Sequence, residues 1–138
     1  MPVIRHAEAR RTETPNAVMT TLASPTQGPA DGLAVWRVAM RPGQAGPEHT
    51  FDTEQVWTVL EGGARIDLGG EVVTVTSGDT VVMPAGVPRR VFCDGPEGLT
   101  AVVASRAGGQ AQVREAVGPD ADGCAVRDGE RLVPAWIA

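Results

Sequence analysis

Residues 55–93 read QVWTVLEGGARIDLGGEVVTVTSGDTVVMPAGVPRRVFC, a series of short apolar runs separated by Gly, Pro, Asp and Ser. Such runs, bounded by residues that favour turns, are typical of short β-strands. In Arg65–Leu68 charged and aliphatic residues alternate, as expected of a strand with one face in water. We therefore predict five strands here: Gln55–Leu60, Ala64–Leu68, Glu71–Thr76, Thr80–Met83 and Arg89–Cys93.

The same pattern continues on both sides of this stretch. Further strands are predicted over Val18–Leu22, Leu33–Arg41 and Leu99–Ser105. No helical period lies between Leu33 and Ser105, and many short strands at even spacing indicate an all-β sandwich or barrel.

The chain divides into three parts around this barrel. Residues 1–32 form an N-terminal segment, with a possible short helix over Ala7–Thr12, which packs on the barrel or is exchanged in a dimer. Residues 33–106 form the barrel itself. Residues 107–138 form a C-terminal extension, and its Leu132–Ile137 run is expected to pack on the barrel because a Trp among aliphatic residues is costly to expose.

Composition excludes several classes of function. The chain has 138 residues, enough for one domain. Its net charge of −5 argues against nucleic acid as a partner, which requires concentrated positive charge. No apolar run approaches the roughly 20 residues that cross a bilayer, so no membrane partner is expected. The first residues lack the apolar segment of a secretory signal, so we expect a cytoplasmic location.

The residue types that are absent narrow the chemistry further. All 12 basic residues are Arg, and the chain has no Tyr, so catalysis by a lysine Schiff base or a tyrosine phenol is excluded. Only His6 and His49 are histidines, too few for a His-rich metal site within one chain. Cys93 and Cys124 lie far apart in sequence and are interpreted as ordinary thiols. An Ala-, Gly- and Val-rich chain without Lys is also typical of a GC-rich bacterial genome.

Two motifs between Gly43 and Cys93 resemble those of the cupin superfamily. In the first motif of that family, Pro-Gly is followed six residues later by His–X–His, then by Glu and a closing Gly. The chain matches this frame with Pro42-Gly43, His49 and Gly62, but holds Phe51 at the second histidine position and Gln55 at the glutamate position.

The second motif reads Gly, five residues, Pro-X-Gly, two residues, His. Gly78 and Pro84-Ala85-Gly86 match it, and Arg89 stands at the final histidine position. The resemblance covers Leu33 to Ser105 and implies a double-stranded β-helix, or jelly-roll barrel. Its framework of turns is kept, whereas three of the four positions that bind metal in the family have changed.

The altered positions argue against the metal-dependent activities of the family. Phe51 donates nothing to a metal, Gln55 offers a neutral carbonyl oxygen, and Arg89 would bring a permanent positive charge. Glu54 and Gln55 are neighbours in a strand, so their side chains point to opposite faces. Glu54 could therefore replace Gln55 only if the strand slipped by one residue, which would send each of its side chains to the other face. We therefore expect no cofactor, and a weak metal site at His49 is the alternative.

If the register of the family holds, the altered positions form a pocket instead. His49, Gln55 and Arg89 are the candidate catalytic residues. The candidate ligand-binding residues are Phe51, Trp57, Trp36, Met40 and Cys93. Apolar walls with one imidazole, one amide and one guanidinium suit a small organic ligand.

Arg89 and His49 can each be interpreted in two ways, as a residue that acts on a ligand or as one that has a role within the protein. A buried Arg89 requires an anion, either on a ligand or from Glu48, Asp52 or Glu54, unless it is exposed beside Arg90. His49 close to Arg89 is expected to be neutral, as a general base with Gln55 or Arg89 stabilising an oxyanion, or as a histidine hydrogen-bonded within the core.

Three hypotheses about function remain. The first is a metal-independent pocket that binds a small anionic or carbonyl compound, with acid–base chemistry such as cyclisation, isomerisation or dehydration. The second is a metal-dependent oxygenase or isomerase with an unusual ligand set around His49. The third is a non-enzymatic barrel that senses a ligand. A homodimer is expected in each case, because open β-barrels of this size usually protect their sheet edges by pairing.

Overall fold

The computed structural model describes residues 3–28, 30–113 and 131–138, and Cys124 lies outside them. A short 3₁₀ helix, His6–Glu8, precedes a series of β-strands. The strands, numbered β1 to β11, are Arg10–Glu13, Val18–Ala23, Leu33–Met40, His49–Phe51, Gln55–Leu68, Glu71–Thr76, Thr80–Met83, Arg89–Phe92, Leu99–Arg106, Ala111–Val113 and Arg131–Leu132.

The strands form one curled antiparallel sheet with two halves. The first half runs β1-β2-β3-β9-β5 and ends on β7, which pairs with the beginning of β5. The second half runs β5-β8-β4-β10-β11, with β6 paired to the end of β5. This is the arrangement of a jelly-roll barrel, so the predicted fold class is confirmed.

Strand β5 joins the two halves and corrects the prediction of two strands separated by a turn. The Glu61-Gly62-Gly63 run lies within one continuous strand, Gln55–Leu68. Its register against β9 shifts between Val59 and Glu61, which marks a bulge where the strand bends from one half to the other. Gly62 has a φ of 72° and packs against the Gly98 backbone, a conformation and an approach that require glycine.

The N-terminal segment also differs from the prediction. The possible helix over Ala7–Thr12 is limited to the 3₁₀ turn His6–Glu8, and Arg10–Glu13 forms β1. This strand pairs antiparallel with β2 of the same chain. Backbone pairing along a whole strand satisfies more donors and acceptors than one isolated helical turn does.

The core lies between the two halves of the sheet. In β3, residues at every second position are buried, namely Ala34, Trp36, Val38 and Met40. The C-terminal residues also contribute, since Trp136 and Ile137 are buried, and the Thr21 hydroxyl donates a 2.8 Å hydrogen bond to the Trp136 carbonyl. The barrel interior is therefore lined by both the strands and the end of the chain. Among the described residues, no helix is long and apolar enough to span a bilayer.

Candidate active site

A cavity of about 70 Å³ lies inside the barrel, at the end where β4 and β8 meet. Its walls are mostly apolar, and its polar side chains include His49, Gln55 and Arg89. These are the three residues that the sequence indicated as catalytic, and the structure brings them to one cavity. The remaining lining residues are Thr14, Asn16, Ala17, Met19, Trp36, Val38, Met40, Gly46, Pro47, Phe51, Trp57, Val91 and Trp136.

The pairing of β4 with β8 brings two of these residues together. His49 and Arg89 are direct partners across the two strands. Partners in an antiparallel pair point to the same face of the sheet. The Phe51 ring lies beside both, with its centroid 4.9 Å from that of the His49 ring and 5.5 Å from the Arg89 guanidinium carbon. Phe51 therefore occupies a former ligand position as an apolar wall between imidazole and guanidinium.

Arg89 is buried, with an exposed fraction of 1%. Its Nη2 donates to the Pro84 and Val87 carbonyls at 2.8 and 3.1 Å, and its Nε donates to the Val87 carbonyl at 3.2 Å. Its Nη1 is buried and has no hydrogen-bond acceptor among the residues described. Within the same residues, the recorded ion pair joins Arg11 to Glu13. Burial lowers the pKa of Arg89 to about 10, so the side chain remains cationic at neutral pH.

Two roles of Arg89 would need no ligand, namely an ion pair with a carboxylate of the same chain and exposure beside Arg90. The geometry of the described residues matches neither of them. The side chain is not exposed beside Arg90, which itself lies at the surface and donates to the Gly46 carbonyl. Of the proposed partners, Asp52 accepts from the Gln110 backbone, Glu54 is exposed, and Glu48 forms no ion pair with Arg89 in the described part of the chain. A guanidinium that is buried without a carboxylate has the environment of a site for an anionic or carbonyl oxygen.

The hydrogen-bond partner of His49 determines which ring nitrogen carries the proton. Its Nδ1 lies 2.8 Å from the Pro47 carbonyl, which can only accept, so Nδ1 carries the proton. In the neutral ring, Nε2 is then the basic nitrogen. The pKa of His49 is lowered to about 4, mainly by burial and further by the positive charge of Arg89, against an opposing effect of the Pro47 hydrogen bond. The imidazole is therefore neutral at pH 7.

The Gln55 side chain lines the cavity and carries a buried donor. The Trp57 indole donates to the Gln55 Oε1 at 3.1 Å. The Gln55 Nε2 is buried and has no acceptor among the described residues. Two side chains that line one cavity thus carry buried donors, the Gln55 Nε2 and the Arg89 Nη1, that have no partner in the described part of the chain.

The predicted ligand-binding residues separate into two groups. Trp36, Met40, Phe51 and Trp57 line the cavity. Cys93 does not, although it is buried on the same face of the strand as Arg89 and Val91, because it lies further from the cavity and its thiol faces the Met40 carbonyl at 3.8 Å. Burial and the neighbouring Asp94 raise the pKa of its thiol, which leaves it in the neutral form.

Two features of the wall were missed from the sequence. Trp136 comes from the C-terminal residues, and the Thr14–Ala17 turn comes from the N-terminal segment. Both lie outside the motif frame. The one available signal was the apolar character of Leu132–Ile137, which indicated packing on the barrel but not its location.

The residues at the former ligand positions do not fit a metal ion. A divalent ion requires three or more nitrogen, oxygen or sulfur donors. Here His49 offers one imidazole nitrogen, Phe51 offers none, the oxygen of Gln55 is occupied by Trp57, and Arg89 is a cation. In the part of the chain that the structure describes, no group of three His, Cys, Asp or Glu side chains could hold a metal.

Comparisons with known proteins agree with the fold. The polyketide cyclase RemF from Streptomyces resistomycificus superposes with a TM-score of 0.74 at 16% identity, covering 88% of this chain and 91% of that one. KdgF from a Halomonas species gives a TM-score of 0.62 at 20% identity, with 75% and 91% covered. The DMSP lyase DddQ from Ruegeria pomeroyi gives 0.65 at 23% identity, with 74% and 58% covered. These identities establish a common fold alone.

No curated protein matches this chain in sequence. A family model does match. The model described as the cupin domain aligns with residues 36–105, just over half of the chain. That span contains both motifs and all the residues of the predicted site. The chain belongs to the cupin family.

Proposed function

We propose that this cupin binds a small organic molecule with an apolar body and an anionic or carbonyl oxygen, without a metal ion. The observation that carries the proposal is a pair of buried donors, Gln55 Nε2 and Arg89 Nη1, for which the described residues offer no acceptor. A buried donor without an acceptor costs about 1–3 kcal/mol, and a ligand oxygen in the cavity would remove that cost. The apolar walls would hold the rest of the molecule.

His49 extends the proposal from binding to acid–base chemistry. Its neutral imidazole, with a basic Nε2, can accept a proton from a ligand bound in the cavity. The negative charge that develops on the ligand oxygen would be stabilised by the Arg89 guanidinium and the Gln55 amide. Proton abstraction of this kind would begin a cyclisation, an isomerisation or a dehydration. Names of structural relatives, such as the cyclase and the lyase, are compatible with this chemistry but support the fold alone.

A second candidate is binding without catalysis. It is favoured by the small cavity volume, about 70 Å³, which leaves little room for two reacting groups. If the protein converts a ligand and His49→Ala abolishes that turnover, this candidate is excluded. If ligand binding is the same in the parent and in His49→Ala and neither shows turnover, the candidate is supported.

Tryptophan fluorescence provides a direct test of binding. The chain has three Trp residues, and Trp36, Trp57 and Trp136 all line the cavity. We suggest titrating the protein with benzoate, which has an aromatic body and a carboxylate, and with toluene, which lacks the carboxylate. Benzoate is expected to bind more tightly than toluene.

Arg89→Met is the decisive variant for this test. It should weaken benzoate binding by about tenfold or more, as expected for a lost charge-assisted hydrogen bond, and should leave toluene binding unchanged. Arg37→Met is the matched control, because Arg37 is exposed on β3 and does not line the cavity. Equal affinity of the parent protein for benzoate and toluene, or equal benzoate binding by parent and Arg89→Met, would refute the proposal.

A further inference from the structure

The hydrogen bond between Trp57 and Gln55 determines which end of an amide faces the cavity. The two residues lie two positions apart on β5, so their side chains share a face of the strand. The indole Nε1 can only donate, and it lies 3.1 Å from the Gln55 Oε1. The amide oxygen therefore has a partner inside the protein, and the amide nitrogen has none among the residues that the structure describes.

The opposite orientation of the amide would reverse the chemistry of the site. It would place two donors, the indole N–H and the amide NH₂, against each other and turn the amide oxygen toward the ligand. An oxygen there would repel the oxygen of an anionic ligand. The half-buried indole N–H disfavours this orientation, because the indole would lose the Gln55 oxygen as its acceptor.

We propose that Trp57 is a positioning residue that keeps the site selective for hydrogen-bond acceptors, because it holds the Gln55 amide with its NH₂ group toward the ligand. The inference rests on the proposed function, since it concerns the same cavity. It assigns a chemical class to the ligand group at this point: a carboxylate, an enolate or phenolate, or a carbonyl oxygen, and not an amine or another donor.

The other polar groups of the cavity agree with this assignment. The Arg89 Nη1 is a second donor that lacks a partner within residues 3–28, 30–113 and 131–138. The basic Nε2 of His49 is an acceptor, since the Nδ1 proton is used by the Pro47 carbonyl. A matching ligand therefore presents an oxygen toward Gln55 and Arg89 and a proton toward His49.

A double-mutant cycle tests whether Trp57 acts through Gln55. The four proteins are the parent, Trp57→Phe, Gln55→Leu and the double variant, and the probes are benzoate and toluene. Fluorescence of Trp36 and Trp136 still reports binding when Trp57 is replaced. Because Trp57 also lines the cavity, the readout is the ratio of the two affinities, and Trp57→Phe is expected to lower the preference for benzoate over toluene by about threefold to tenfold, the range of one hydrogen bond.

The cycle separates positioning from a packing role. If Trp57 acts through the amide, Trp57→Phe has no further effect on the preference for benzoate over toluene once Gln55 is Leu. An equal loss in both backgrounds, or a parallel loss of toluene binding, would show that Trp57 only packs and would overturn the inference. If the parent protein prefers benzoate to toluene and Trp57→Phe keeps the same preference, the inference is overturned while the proposed function stands. A parent without that preference would instead refute the proposed function.

Discussion

His49 and Arg89 are direct partners across β4 and β8, at two positions where cupin motifs place metal ligands. The pairing puts an imidazole beside a buried guanidinium, and each group influences the other. The charge of Arg89 helps to keep His49 neutral. Histidine carries no negative charge in either protonation state, so His49 provides no counter-charge to Arg89, and the pair favours an anion over a cation in the cavity.

Replacement of Arg89 by Met is expected to preserve or increase stability while it removes anion binding. A buried charge without a carboxylate partner carries an uncompensated desolvation cost. Met has a similar length and no charge, so the free energy of unfolding should stay equal or rise by about 1–2 kcal/mol. Urea denaturation measures this. A decrease of more than about 2 kcal/mol would show that the bonds to the Pro84 and Val87 carbonyls are the main role of Arg89.

The stability of the protein should fall in acid because of His49. Its pKa is about 4 in the folded protein and 6.5 in its ordinary state. Between these values the unfolded chain binds more protons than the folded one, so stability is retained above pH 6.5 and is lost as the pH falls toward 4. The loss due to this group should reach at most about 3 kcal/mol. Urea denaturation from pH 7.5 to 4.5 measures it.

His49→Gln is the control for this pH dependence. It removes the titrating ring and leaves His6 in place, so the difference between the two pH profiles isolates His49. Parallel profiles for the parent and His49→Gln would contradict the prediction.

Restoring the residues of the motif should create metal binding. The variant Phe51→His, Gln55→Glu, Arg89→His would supply three more donors beside His49. We expect it to bind a divalent transition metal with one equivalent per chain, measured by elemental analysis after purification without added chelator. The parent should carry clearly less than one equivalent. A stoichiometric metal in the parent protein would contradict our view of the site.

Gly62→Ala should be strongly destabilising. The residue has a φ of 72°, and an added Cβ would collide with the Gly98 carbonyl. We expect a loss of roughly 2 kcal/mol or more, from backbone strain and steric overlap together. Gly70→Ala is the matched control, because Gly70 has a φ of 86° with no atom near its added Cβ. Equal losses for the two variants, measured by thermal denaturation, would show that the bend does not depend on close packing.

Homodimer formation stays a prediction. Among the described strands, β6 and β7 each pair with β5 alone, and both carry exposed aliphatic residues, such as Val72 with an exposed fraction of 67%. Exposed edges of this kind favour pairing with a second copy. Size-exclusion chromatography with light scattering should give twice the subunit mass, and a single subunit mass would refute the expectation.

The barrel could be predicted because glycines and prolines define its turns locally. The frame of Gly43, Gly62, Gly78 and Gly86 placed most strands within a few residues. The bend in β5 could not be predicted, since Gly62-Gly63 is compatible with a turn or a bulge, and the choice depends on the distant partner β9. Short strands such as β4 were missed because three residues carry too little pattern.

The site was predictable to the extent that it depends on the motif frame. The register of the family motifs predicted that His49, Gln55 and Arg89 lie inside the barrel. The orientation of the Gln55 amide and the proton position on His49 depend on Trp57 and Pro47. Such details follow from side-chain contacts, which spacing along a chain does not specify.

The continuous course of β5 also has a consequence for folding kinetics. Its first part pairs with β9, which joins residues 55–62 to residues 99–105, and its last part pairs with β6 and β8. Hairpins such as β5–β6 can form early because their loops are short, whereas the β5–β9 pairing must wait until a long loop has closed. We therefore expect slow folding, with closure of the barrel by β9 as the late step.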